Sequence, residues 1–399
     1  MTALRFVNAR IVGAEGVTDG ELAVREGMIV DAPSPDAATI DCGGKLLAPG
    51  IVDLGVFAID RAAFRAGGIV RVGLMPDQSP VLDDPGIVQR ASLVGKPHLW
   101  IHPIAAATKG LKGVDLAEMA IMKGAGARAV ATGRRWIADS GVMAKVFAYA
   151  RELDLTVITH AEDAGLTAGK VATAGETATR LGLPAAPALA EPLAIARDLA
   201  LAEETGARLH IRQVTTAAGF DLVRSAKRRG VAVTCGITPA HLLLSDIAMS
   251  DFRTFAHLSP PLRDESDRRA ALAALKDGTI DVLCSGHDPR GPEEKRLPFA
   301  DATAGASGAE TLLALALSLQ LPLERLFALL AANPAKVLGL DTGALAPGQS
   351  ADLMLLDPNA PWQVKGDALL ARAGNTPFDG LPVQGKVLRL WKGGKEIPA

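Results

Sequence analysis

Cysteine is scarce in this chain of 399 residues, which contains only Cys42, Cys235 and Cys284. Their number is odd, they lie far apart, and no two have the Cys-x-x-Cys spacing. The sequence therefore predicts neither a disulfide framework nor a zinc knuckle. A reducing, cytoplasmic environment fits this cysteine usage best.

The sequence also lacks an excess of charge of either sign and a long apolar run. It has 42 Lys and Arg against 44 Asp and Glu, a formal net charge of -2, which offers no electrostatic footprint for nucleic acid or an anionic membrane. The most apolar stretch, 311–321, is too short to span a bilayer. Arg5 and Arg10 interrupt the first apolar stretch, which argues against a signal peptide. We therefore expect no nucleic-acid or membrane partner.

Hydrophobic residues are abundant, at 49% of the chain, and their pattern differs between the ends and the middle. The segments 4–12 and 21–30 are rich in β-branched residues, and 351–356 and 386–391 are apolar or alternating, so both ends are predicted to form β-structure. Between the ends, short apolar strands alternate with amphipathic helices, which is typical of βαβ units and a parallel sheet.

The middle of the chain has enough strands for a closed barrel. Helices are predicted at 192–205 and at 217–229, the second with Thr216 as its N-cap. The sequence thus predicts an α/β fold, with a (β/α)8 TIM barrel over 49–343 and a small β-sandwich domain built from 1–48 and 344–399. An open doubly wound sheet is the alternative. The predicted barrel strands are 50–56, 69–74, 99–104, 127–131, 156–160, 208–214, 231–235 and 281–285.

Short motifs at the joins between these elements resemble the dihydroorotase branch of the amidohydrolase superfamily. Each motif alone is weak, but they occur in order along nearly the whole chain. The resemblance implies the same barrel and split β domain. The motifs are 47–53 (LAPGIVD), 66–69 (AGGI) with 75–76 (MP), 159–163 (THAED), 238–242 (TPAHL), 260–263 (PPLR), 333–336 (NPAK) and 347–353 (PGQSADL).

The resemblance implies a metal that polarises the scissile amide carbonyl and supplies hydroxide near neutral pH, held at the C-terminal mouth of the barrel. The family's first ligand pair, His-x-His after strand one, corresponds to Gly55 and Phe57. The strand-six histidine corresponds to Gln213, and the strand-eight aspartate, ligand and proton-transfer base, to Gly286. The bridging lysine or aspartate has no counterpart in 128–133.

Only His160, after strand five, keeps a metal-competent side chain. A lone histidine cannot hold a catalytic zinc ion, which usually takes three protein ligands. We therefore interpret His160 as a hydrogen-bonded remnant and expect no cofactor.

The substrate side of the family pattern is altered as well. Ile59 stands where the family has an arginine for the substrate carboxylate, and Asp77 replaces an asparagine, placing a carboxylate where it would repel an anionic substrate. Ser259 replaces a second asparagine. The residues of the predicted remnant pocket are Asp77, His160, His241, Ser259 and His287; for His241, a loop-capping role is equally open.

His287 and Asp288 are the remaining candidates for catalytic residues. Asp288 lies two residues beyond Gly286 and has the same strand parity, so a small register difference would bring it into the role of the missing aspartate. Pro289, however, indicates that the strand has already ended. Nearby in the fold, the segment 134–136 (RRW) lies in the strand-four loop, where it either binds an anion or a partner or is simply solvated.

These observations predict a catalytically inactive, dihydroorotase-like pseudoenzyme of pyrimidine biosynthesis. The resemblance implies that such chains form hetero-oligomers, as structural or regulatory partners of aspartate transcarbamoylase. Two alternatives remain open. One is a working cyclic amide hydrolase with a rebuilt zinc site that uses His160, His241, His287 and Asp288. The other is a small-molecule sensor that kept a pocket and lost the chemistry.

Overall fold

The computed structural model describes residues 3–398. Its strands are β1 (Leu4–Gly13), β2 (Gly16–Arg25), β3 (Met28–Val30), β4 (Ala38–Asp41), β5 (Leu46–Pro49), β6 (Ile51–Val56), β7 (Ile69–Leu74), β8 (Trp100–Ala106), β9 (Ala129–Ala131), β10 (Thr156–Thr159), β11 (Ala172–Thr173), β12 (Ala185–Ala186), β13 (Leu209–Ile211), β14 (Val233–Ile237), β15 (Val282–Leu283), β16 (Leu353–Gln363), β17 (Pro382–Lys392) and β18 (Lys395–Glu396).

The α-helices are α1 (Arg61–Ala66), α2 (Pro85–Leu93), α3 (Met119–Gly124), α4 (Ser140–Glu152), α5 (Ala164–Thr167), α6 (Glu176–Leu181), α7 (Ala190–Thr205), α8 (Ala217–Arg228), α9 (Pro239–Leu243), α10 (Glu265–Asp277), α11 (Pro292–Lys295), α12 (Leu312–Ser318), α13 (Leu323–Phe327) and α14 (Asn333–Val337). Short 3-10 helices lie at Lys109–Leu111, Asp246–Met249, Thr254–Ala256 and Gly366–Ala368, and a π-helical turn lies at Ala328–Ala332.

Eight parallel strands form the barrel in the order β6-β7-β8-β9-β10-β13-β14-β15, and each overlaps its predicted range. All six residues of β6 and of β7 are buried, because helices cover the outer face of the barrel and side chains fill its interior. The predicted TIM barrel is confirmed.

Asp53 on β6, the first strand of the barrel, is hydrogen-bonded to the segment that follows β15, the last strand of the barrel. Its carboxylate accepts hydrogen bonds from the backbone N–H of Ser285, at 2.9 Å, and from the Ser285 hydroxyl. The backbone N–H of Phe57 donates to the carbonyl of His287 at 3.0 Å. Burial raises the pKa of Asp53. These bonds join β6 to the chain beyond β15, so the sheet curves into a barrel rather than staying open.

The strands of the two chain ends form one further sheet, in the order β18-β17-β16-β5-β1-β2-β3, with β4 paired to β1. Phe6 on β1 and Trp391 on β17 meet edge to face, with ring centroids 4.9 Å apart. Because two strands separate β1 from β17 in the sheet, this contact shows that the sheet curls over a core of its own. A turn at Gly393 and Gly394 links β17 to β18.

The two predicted helices are present. The Thr216 hydroxyl caps α8 by accepting a hydrogen bond from the Gly219 N–H, as an N-cap should. The other helix, α7, begins two residues before its predicted start and ends at Gly206, whose φ of +67° suits glycine. In the part of the chain that the structure describes, no helix combines the length and apolarity needed to cross a bilayer.

Candidate functional site at the barrel mouth

The side chain of Arg212, which follows β13, fills the space between three positions that the sequence aligns with metal ligands. A Cβ atom on Gly55 would lie 3.4 Å from Cδ of Arg212. The guanidinium carbon lies 5.0 Å from the ring centroid of Phe57, and Nη2 lies 3.2 Å from Nδ1 of His160. A buried guanidinium therefore lies among these positions.

The backbone at two of the aligned positions favours glycine. Gly55 has a φ of +89°, and the pairing of β6 with β7 is irregular between Leu54 and Val56. Gly286 has a φ of +59°, and a Cβ there would lie 2.9 Å from Cγ2 of Thr238. A histidine at 55 would be strained at the φ value of that position, and an aspartate at 286 would crowd Thr238, so either side chain would require the local structure to shift.

Both ring nitrogens of His160 are occupied. A guanidinium can only donate, so Nδ1 of His160 accepts the bond from Arg212. The proton then lies on Nε2, which faces Oε2 of Glu162 at 3.2 Å. A metal would need one of these nitrogens as a free lone pair, and neither offers one in this arrangement.

Glu162 continues this chain of contacts into a buried ionic cluster around Arg263. Arg263 donates to Oε1 of Glu162 at 3.0 Å, to Glu191 at 3.3 Å and to the hydroxyl of Thr215 at 2.9 Å. Although burial opposes ionisation, the hydrogen bond from His160 and the charge of Arg263 lower the pKa of Glu162 to about 2. Glu191 also accepts bonds from the backbone N–H groups of Thr215 and Thr216, at 2.8–3.1 Å. The cluster ties α7 to the end of β13.

A second guanidinium, that of Arg134, covers the other face of the mouth. Its central carbon lies 3.6 Å from the ring centroid of Phe57, and Nη1 donates to Asp288 at 2.6 Å. Arg290 donates to the same Asp288 oxygen at 3.0 Å. Asp77 accepts a bond from the backbone N–H of Arg134 at 2.9 Å. Asp288 thus serves as the ion-pair partner of two arginines.

The 134–136 loop is only partly solvated. Arg135 is exposed, but Arg134 turns inward to Phe57 and Asp288. Trp136 packs under Arg197, whose guanidinium carbon lies 3.8 Å from the indole ring centroid. The loop therefore contributes one charge to the mouth and leaves a second in solvent.

His287 points away from Asp288 into the layer between the barrel and α1. It is fully buried, its Nδ1 accepts a bond from the Ala309 N–H at 3.3 Å, and its Nε2 lies 3.8 Å from Asp60. Its ring meets Phe64 edge to face. The structure does not bring the side chains of His287 and Asp288 together as one acid–base pair.

His241 and Ser259 line a small cavity at the closed end of the mouth. The Thr238 hydroxyl lies 2.8 Å from Nδ1 of His241, and Nε2 donates to the carbonyl of Pro260 at 2.9 Å. Burial lowers the pKa of His241 to about 4, which keeps the ring neutral. The cavity volume is about 40 Å³, and its other lining residues include Phe57, Arg134, Arg212, Gln213, Gly286 and Asp288.

Residues 102–397 match the sequence profile of the amidohydrolase family. The chain belongs to this family. It is similar to dihydroorotases: that of Geobacter metallireducens is 38% identical over 94% of this chain and 93% of its own length, and that of Desulforapulum autotrophicum is 36% identical over 96% of both chains.

Solved structures show the same fold. The L-hydantoinase (dihydropyrimidinase) of Arthrobacter aurescens superposes with a TM-score of 0.88 at 25% identity, covering 100% of this chain and 96% of its own. The dihydropyrimidinase of Brevibacillus agri gives a TM-score of 0.83 at 20% identity, over 99% and 95% of the two chains. The whole chain thus has an amidohydrolase architecture.

The residues at the mouth of this amidohydrolase do not fit a metal ion. Within residues 3–398, no three His, Cys, Asp or Glu side chains come together as a ligand set. Arg212 and Arg134 bring positive charge to the place where ligands are expected, and Nε of Arg212 is a buried donor without a partner. A guanidinium group has no lone pair to offer, and its positive charge repels a divalent metal ion.

Sequence reasoning missed Arg212, Arg263 and Glu191, the charged residues that organise this site. Arg212 follows directly on the fully buried β13. Charged side chains are almost never fully buried without a partner, so an arginine at the end of an apolar strand is itself a signal. For Glu191, in the first turn of α7, the sequence offers no comparable signal.

Proposed function

We propose that this dihydroorotase-like chain does not hydrolyse cyclic amides and instead acts as a structural or regulatory partner of aspartate transcarbamoylase. The observation that carries the first half is the position of Arg212. Its guanidinium lies against His160 and Phe57, and its aliphatic stem lies next to Gly55, so an organic cation occupies the space where the Lewis acid would have to be.

The two candidate bases at the mouth, Asp288 and His160, are both bound by arginine side chains. A general base must reach the proton it abstracts and must be free to accept it. Asp288 is engaged by both Arg134 and Arg290, and the lone pair of His160 is taken by Arg212.

The partner role draws its support from the family relationship and from the state of the fold. The relatives at 36–38% identity carry the name dihydroorotase, and the resemblance to that family implies a partnership with aspartate transcarbamoylase. The barrel and terminal sheet are complete around a mouth unsuited to the chemistry. A scaffold subunit requires a complete fold but does not require catalytic activity.

A turnover assay tests the first half of the proposal. The purified chain, with and without added zinc, is supplied with dihydroorotate and with carbamoyl aspartate, and the dihydroorotase of Geobacter metallireducens serves as the positive control. We expect no turnover above the uncatalysed rate. Turnover that is abolished by Asp288→Asn would instead establish the rebuilt hydrolase.

Association with the transcarbamoylase is tested separately, so that either half of the proposal can fail alone. The chain and the aspartate transcarbamoylase of the same organism are co-expressed and passed over a size-exclusion column, with each protein alone as a control. We expect one complex and a changed transcarbamoylase rate or stability. Separate elution with unchanged transcarbamoylase activity would refute the partner role.

A further inference from the structure

Arg212 is a buried cation without an anionic partner. Its residue is only 4% exposed, and among residues 3–398 no carboxylate lies within ion-pair distance of it. Asp77 and Asp288 are close enough to influence its charge, but Asp288 is already bound by Arg134 and Arg290. Burying an uncompensated charge is costly, whereas Arg263, the other buried arginine at this end of the barrel, has two carboxylates.

Two polar atoms next to the small cavity have no partner among the described residues. Nε of Arg212 is a donor, and Oε1 of Gln213 is an acceptor, and both are buried. Buried polar groups are almost always paired, so a donor and an acceptor left open on residues that line the same cavity point to a ligand that offers both.

The cavity volume limits the size of that ligand. About 40 Å³ is room for roughly three water-sized spheres, at ~10–15 Å³ for each. Pockets for larger metabolites have volumes of ~300 Å³ or more. The ligand must therefore be an anion of a few non-hydrogen atoms, and a flat one fits best beside the planar guanidinium.

We propose that this cavity binds a small planar oxyanion on Arg212, with Gln213 as the second contact. Hydrogencarbonate meets both requirements, because its charged oxygens accept from the guanidinium and its O–H donates to the Gln213 amide oxygen. Formate and nitrate match its size and charge but have no proton for the amide. The anion site does not depend on the partnership with a transcarbamoylase.

Anion-dependent stabilisation tests the proposal, because a ligand that binds only the folded state raises the unfolding midpoint. The midpoint is followed while sodium hydrogencarbonate, formate or nitrate replaces sodium gluconate at constant ionic strength, since gluconate is too large for the cavity. We expect a saturable rise with each small anion, at the lowest concentration with hydrogencarbonate. A midpoint that does not respond to any of them overturns the proposal.

Three variants locate the effect. Arg212→Met should raise the dissociation constant at least about tenfold, since it removes a charged hydrogen bond, whereas Arg135→Met, which removes an exposed arginine from the same mouth, should leave it unchanged. If Arg212→Met does not fold by circular dichroism, Gln213→Met decides: we expect a several-fold weaker affinity for hydrogencarbonate and an unchanged one for nitrate. An anion response in Arg212→Met and in Gln213→Met equal to that of the wild type would overturn the assignment.

Discussion

Arg212 donates a hydrogen bond across 3.2 Å to Nδ1 of His160, the one histidine that the sequence keeps at a metal-ligand position. The bond fixes the proton of His160 on Nε2 and directs it to Glu162. The lone pair that a metal would use is thus engaged by a cation. Arg212 therefore lies where the family pattern places metal ligands.

Removing the charge of Arg263 should destabilise the folded protein more than removing the charge of Arg212. Arg263→Met leaves Glu162 and Glu191 without their cation and should lower the free energy of unfolding by about 3–5 kcal/mol. Arg212→Met removes a cation that has no carboxylate partner, so we expect a change within about 1 kcal/mol. Urea unfolding in gluconate buffer measures both. Equal losses in the two variants would contradict the charge arrangement described here.

Gly55 should not tolerate a side chain. Its φ of +89° and the nearby stem of Arg212 make Gly55→Ala destabilising by about 1–3 kcal/mol. The matched control is Gly124→Ala on α3, where φ is ordinary and a Cβ would meet nothing within 4 Å; it should be neutral or slightly stabilising. Thermal unfolding compares the two. A Gly55→Ala protein as stable as the Gly124→Ala protein would show that the backbone at 55 is free to change.

Glu162 should make stability depend on acid. Its pKa falls from 4.5 to about 2 in the folded protein, so its contribution is complete above pH ~4.5 and is lost as the pH falls towards 2. At 1.36 kcal/mol for each pKa unit, that contribution is on the order of 3 kcal/mol. Urea unfolding is measured between pH ~5 and pH ~3, on either side of the unfolded-state value. The loss of stability over this range should be smaller in Glu162→Gln than in the wild type. Parallel curves would refute the ionised state of Glu162.

The sequence predicted the fold well because the barrel is specified locally. Short buried strands alternate with capped helices, and Thr216 and Gly206 mark helix ends by their own chemistry. The start of α7 was less predictable, since Pro192 lies in its first turn rather than at its first residue.

The site was predicted only in outline. The family pattern identified Gly55, Phe57, Gln213 and Gly286 as positions without a ligand, but it could not show that Arg212 lies among Gly55, Phe57 and His160. The direction of that side chain depends on His160 and Phe57, which lie far from it in sequence. The directions of the side chains near Gly55 could not be predicted from the alternation of a regular strand, because the pairing of β6 is irregular there.

The three cysteines should be unreactive in the folded protein. All three are buried, and burial raises the pKa of Cys284 to about 12, so the reactive thiolate is scarce at neutral pH. A thiol-specific reagent such as Ellman's should modify none within minutes under native conditions and all three after unfolding in urea. Rapid modification of any one of them without denaturant would show that it is accessible.

Zinc content tests the central claim, that a guanidinium has taken the place of the metal. The chain is dialysed against zinc and then against metal-free buffer, and bound zinc is measured by mass spectrometry beside the Geobacter metallireducens dihydroorotase. We predict no more zinc than in a non-metalloprotein control, and the same result for His160→Ala. One zinc ion for each chain, lost in His160→Ala, would contradict the account.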